Sequence, residues 1–131
     1  MRHLLPEGWE RPKGYSNGIE VGPGRTIYVA GLIGWNEQEL FDSDCLIEQF
    51  KSTLINTLAV LKEANAGPEH IVRMTWYIKD KQEYLQNLKE IGQAYREVIG
   101  RHYPVMACLE VADLMEDRAK IEIETTAVVE D

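Results

Sequence analysis

Three side chains near the C-terminus could carry chemistry: Cys108 in Pro104-Val105-Met106-Ala107-Cys108-Leu109-Glu110-Val111, and Glu122 and Glu124 in Lys120-Ile121-Glu122-Ile123-Glu124. Both runs are strand-like, so residues two apart share a face and the two carboxylates point the same way. An ionised carboxylate held in this way can take a proton from a water molecule as that water attacks a substrate carbon. The same alternation also reads as a solvated polar strand face with no catalytic role. Cys108 divides similarly between a small core residue and a thiol facing a cleft; no histidine or cation is spaced to lower its pKa, so a nucleophile is not expected. His3, His70 and His102 lack the spacing or neighbouring carboxylates of a metal centre, and no metal site is expected.

The elements that must hold these residues can be read from periodicity. Residues 1–14, with Pro6, Gly8, Pro12 and Gly14, read as a leader packed on the surface, and 15–131 as a single domain. Ile19-Glu20-Val21 and Thr26-Ile27-Tyr28-Val29-Ala30 flank Gly22-Pro23-Gly24-Arg25, which predicts a hairpin. Gly31 interrupts the outgoing strand, a mark of a bulge or close approach. From Asp44, apolar Ile47, Phe50, Leu54, Leu58 and Leu61 predict a helix capped by Ser43 or Asp44 and stopped at Gly67-Pro68. Val72, Met74, Trp76 and Ile78 alternate with Arg73, Thr75 and Tyr77, a strand with one apolar face. Asp80 and Glu83 form a capping box for one helix carrying Tyr84, Leu88, Ile91, Tyr95 and Val98 up to Gly100. Strands near 105–111 and 119–129 follow. The order β-β-α-β-α-β-β gives an α+β fold with helices on one face of a mixed sheet. Its other face, expected to be apolar, would serve association with further copies.

Composition removes several classes. A chain of 131 residues supports one core. A formal charge of −8 opposes nucleic acid, whose binding depends on basic patches. No stretch reads as a membrane span or signal-peptide core, so no membrane partner and a cytoplasmic location are expected. Cys45 and Cys108 form neither a disulfide framework nor a metal-binding pair.

Several segments carry a family pattern in register: Tyr15-Ser16 before the first strand, Tyr28-Val29-Ala30-Gly31-Leu32-Ile33, Val72-Arg73-Met74-Thr75, and the two C-terminal runs. Over residues 15–129 the chain resembles the RidA (YjgF) family, also described as endoribonuclease L-PSP. The resemblance implies a chorismate-mutase-like fold, assembled as a homotrimer whose sheets form an inner barrel with clefts between subunits. In that family the clefts hydrolyse reactive enamines and imines, such as 2-aminoacrylate, to keto acids and ammonia without a cofactor. It further implies that Glu122 orients the water and that Tyr15, Ala30, Gly31, Leu32, Leu88, Met106, Ala107 and Cys108 line the cleft around a small-molecule ligand.

Three positions depart from the pattern: Met106 stands where the family has a carboxylate-binding arginine, Leu32 where it has glutamine, and Leu88 where many members are polar. A guanidinium contributes about 1.5–3 kcal/mol to holding a carboxylate, which a thioether cannot replace. The expected activity is therefore deamination of an imine, enamine or related C–N metabolite other than the usual 2-imino acids. A non-catalytic binding or chaperone-like trimer is the alternative, and an endoribonuclease a remote one. Arg101 and His102 are the cations that the sequence sets near the cleft.

Overall fold

The computed structural model describes residues 1–131. Its sheet is organised around β6 (Ile121–Glu130), whose alternating Ile121, Ile123, Thr125 and Ala127 are buried. Strand β6 pairs antiparallel with β3 (Gly24–Ile33) on one side and with β4 (Ile71–Ile78) on the other. Strand β5 (Val105–Glu110) adds in parallel to β4, giving the order β3-β6-β4-β5. One face is covered by α1 (Leu46–Glu63), with α3 (Leu88–Val98) packed against it. Phe50 of α1 meets Trp76 of β4 edge-on at 5.0 Å, and Tyr95 of α3 closes the aromatic cluster. This is the α+β arrangement expected from the sequence. No helix is long and apolar enough to cross a membrane.

Local details differ from the sequence reading where long-range contacts compete with local signals. Cys45 is the residue before α1 and gives it no side-chain cap; the Ser43 hydroxyl accepts the Cys45 N–H, and Asp44 pairs with Arg118. The helix stops ahead of Gly67-Pro68, where Asn65 turns left-handed at φ 54°. Asp80 does cap the next helix, α2 (Lys81–Gln86), by accepting the Glu83 N–H. The single helix expected over 80–98 is broken at Asn87, whose side-chain amide donates to the Glu83 carbonyl at 2.7 Å. That bond satisfies a carbonyl exposed by the break.

The predicted hairpin between 19–21 and 26–30 does not form. Strand β2 (Gly18–Glu20) instead pairs antiparallel with β1 (Arg2–Leu4), so the first residues join a small second sheet. The reason lies at the far end of the chain. Gly24 already sits in the ladder opposite Glu130, the Gly22 N–H donates to the Glu130 carboxylate, and Asp131 donates to the Pro23 carbonyl. Eight of the ten residues of β3 pair along β6, which leaves Gly22-Pro23 as a link between two sheets.

The centre of the open sheet face is more polar than expected. The apolar positions of β6 turn toward the helices, so its open face presents Glu122, Glu124 and Thr126, beside Thr75 and Tyr77 of β4. Apolar side chains on that face come from the flanking strands instead, with Tyr28 of β3 and Leu109 of β5 exposed in register with Thr126 and Tyr77.

Two contacts fix the β3 end against α1. Asn56 donates to the Ile33 and Trp35 carbonyls at 2.9 Å each, and the backbones approach so closely that a Cβ on Gly34 would lie 2.3 Å from the Gln49 carbonyl oxygen. The buried Gln49 amide also donates to the Ser43 and Arg118 carbonyls and accepts the Lys120 N–H, tying α1 to the chain entering β6. Gly34→Ala should destabilise the fold by about 1–3 kcal/mol, the usual cost of overpacking against a rigid neighbour. Chemical denaturation checks this, and an unchanged midpoint would mean that β3 and α1 separate at no cost.

Candidate functional site

Strand β3 breaks register with β6 between Val29 and Leu32, and Gly31 lies in that irregularity. A methyl group on Gly31 would fall 2.4 Å from Glu122 Oε2, so the missing side chain is what makes room for the carboxylate. Glu122, opposite Ile33 and Tyr77 in the ladders, reaches a cavity of about 320 Å³ lined among others by Gly31, Leu32, Trp35, Glu37 and Asn56. That cavity holds two carboxylates, Glu37 and Glu122, and no cation.

Glu122 and Glu124 share a face yet differ in engagement. Tyr77 donates its hydroxyl to Glu124 at 2.6 Å, and this bond, reinforced by the charges of Glu124 and Glu122, pushes the phenol pKa up. Glu124 is thus occupied by a phenol that keeps its proton. Glu122 has no hydrogen-bond or ion-pair partner in the chain and lies half-buried against Gly31.

Met106, Ala107 and Tyr15 belong to a separate cavity of about 430 Å³, with Arg73 and Thr75 in its wall. Its floor is set by the bridge of Ser16 to Val105 and by the Ser16 N–H donating to the Pro104 carbonyl at 3.0 Å. Met106 is half-buried, stands opposite Met74 and packs on the core. Arg73, exposed and without an ion-pair partner, was missed as a cavity residue. The available signal was its alternation with Thr75 and Tyr77, combined with parallel pairing to β5 that puts Val105 beside it.

Other predicted site residues fall elsewhere. Ala30 is exposed next to Gly31 but does not line the Glu122 cavity. Leu88 opens α3 and is half exposed, and neither it nor Cys108 lines the two cavities. Cys108 sits on the exposed edge strand, yet packing around its sulfur pushes the thiol pKa up, with a hydrogen bond from Tyr84 pulling part of the way back. The thiol is therefore protonated at neutral pH and a poor nucleophile. Arg101 and His102 lie in a third cavity that also includes Tyr15.

Register separates the two main groups. Met106 and Glu122 are two strands apart, about 10 Å, and three residues apart along the sheet, about another 10 Å. Alternation also turns them to opposite faces. One small imine cannot touch both within a single copy.

The family model described as Endoribonuclease L-PSP matches residues 10–129. A RutC family protein of Pyrococcus abyssi is 34% identical over 130 residues, covering 97% of this chain and 96% of that protein. Escherichia coli K12 TdcF, whose name describes a reactive intermediate deaminase, is 32% identical over 117 residues, covering 87% and 85% respectively. Among solved structures, the Rid family protein YyfB of Yersinia pestis superposes with a TM-score of 0.86 at 30% identity, covering 98% of each chain. The TdcF structure with bound serine superposes with a TM-score of 0.69 at 25% identity, covering 98% of this chain and 99% of that one. Matched along nearly its whole length by the family model and by these relatives, the chain belongs to the endoribonuclease L-PSP family, the RidA (YjgF) group.

Proposed function

We propose that this protein is a cytoplasmic deaminase of the RidA kind, hydrolysing an imine or enamine whose binding does not depend on a guanidinium at position 106. The observation that carries the reading is the unpartnered Glu122 carboxylate, admitted by Gly31 into a cavity without a cation. In this account an enamine first takes a proton at carbon to become the imine. Glu122 then removes a proton from water as its oxygen adds to the protonated C=N carbon, giving a carbinolamine. The carbinolamine C–N bond breaks, a proton returns to nitrogen, and ammonia leaves with the carbonyl product. Neither a metal nor a thiolate is needed, in keeping with the raised pKa of Cys108.

The substrate range follows from charge. Glu37 and Glu122, lining one cavity, repel a carboxylate, and Met106 offers it no donor. A net charge of −8 likewise disfavours RNA as a substrate. The separation of the Glu122 and Met106 groups favours a site completed between copies, and a homotrimer would supply it. Light scattering should give three times the 15.0 kDa chain mass, whereas a stable single chain would remove the shared site.

Glu122→Gln keeps shape and removes the base, so turnover of the protein's own substrate should fall by roughly 10²–10⁴-fold while ligand binding survives. Gly31→Ala should also reduce turnover with little change in the denaturation midpoint, because its methyl meets a movable carboxylate end rather than backbone. Full activity in Glu122→Gln would exclude it as the base. Met106→Arg should raise 2-aminoacrylate hydrolysis on the order of tenfold, in line with one added charge-assisted contact. Efficient turnover by the wild-type protein would contradict this and implicate Arg73.

A further inference from the structure

The N-terminal segment and the turn before β5 enclose a cavity of about 330 Å³ that is separate from Glu122. Its wall contains Arg11, Arg101, His3 and His102, and no Asp or Glu. Neither arginine has an ion-pair partner, although acidic residues outnumber basic ones 22 to 14 in the chain. Positive groups left together without counter-charge raise the local potential and favour an anion.

The imidazoles are held by defined bonds. The Ser16 hydroxyl donates to the Tyr103 carbonyl at 2.5 Å, so the 2.8 Å contact with His3 Nδ1 requires the imidazole to donate to Ser16 Oγ. His102 Nε2 lies 2.6 Å from the Ile71 carbonyl, which can only accept, so Nε2 carries that proton. Each neutral ring thus leaves its other nitrogen as an acceptor, which turns into a donor toward an anion only when the ring is protonated. The rings meet edge to face at 5.8 Å, although 99 positions separate them in sequence.

We propose that this cavity binds a small oxyanion, a carboxylate or phosphate group, gripped by the guanidinium forks of Arg11 and Arg101 against the His3 and His102 rings. Guanidinium geometry suits paired contacts with such oxygens. The inference does not rest on the deaminase reading, since Glu122, Gly31 and Met106 take no part in this cavity.

The test is a titration of the isotope-labelled protein with inorganic phosphate and, separately, with acetate, at fixed pH and ionic strength, following the histidine ring resonances. His3 and His102 should shift saturably with at least one anion, while His70, whose Nδ1 accepts the Gly67 N–H outside the cavity, stays in place. Saturation by phosphate alone identifies a phosphate site, and saturation by acetate identifies a carboxylate site. Arg101→Gln, and more strongly Arg11→Gln with Arg101→Gln, should weaken binding by about tenfold or more with an unchanged far-ultraviolet spectrum. Absence of saturable shifts with both anions, equal movement of His70, or undiminished binding by the variants would overturn the proposal.

Discussion

The period-two alternation of Ile121 and Ile123 with Glu122 and Glu124 links the core of this protein to its chemistry. One side of β6 fills the space under α1, and the other presents the carboxylates, so a slip of one residue would bury charge and expose isoleucine. Long ladders with β3 and β4 exclude that slip. The Gln49 contacts at the entry to β6 and the close approach of Gly34 to α1 hold the same register from outside. The position of Glu122 is therefore a consequence of core packing.

Once on that face, the two glutamates acquire different properties from their neighbours. Tyr77 occupies Glu124 with a phenol that stays protonated, while the bulge at Gly31 gives Glu122 space and no partner. A carboxylate without a competing donor is suited to accept a proton from water. Met106 turns to the opposite face of the sheet, and Arg73 lies on the same face as Glu122 but four residues along β4 from its ladder partner Tyr77.

Much of the fold was legible because strong periodicity agreed with its tertiary use. The 3.6-residue stripe of α1, the alternation of β4 and the two C-terminal strands appear close to where the sequence puts them. Gly22-Pro23-Gly24 misled because a turn-forming tripeptide has no knowledge of Glu130, which draws Gly24 into the main ladder. The Asn87 break carries neither glycine nor proline and was invisible locally. In the site, Gly31, Leu32 and Glu122 were accessible through the family pattern and share one cavity. The choice between Glu122 and Glu124 was not accessible, since both obey the same alternation and only the Tyr77 hydroxyl separates them. The meeting of His3 with His102 depends wholly on the fold.

The central claim joins a catalytic Glu122 to a cleft that does not recognise a substrate carboxylate through residue 106. Ammonia release by the wild-type protein should be measured over two panels, 2-imino acids formed by an amino-acid oxidase and carboxylate-free imines formed by an amine oxidase. The account predicts acceleration above the uncatalysed rate for carboxylate-free imines and weaker acceleration for 2-aminoacrylate. No acceleration in either panel, or a clear preference for 2-aminoacrylate, would contradict it.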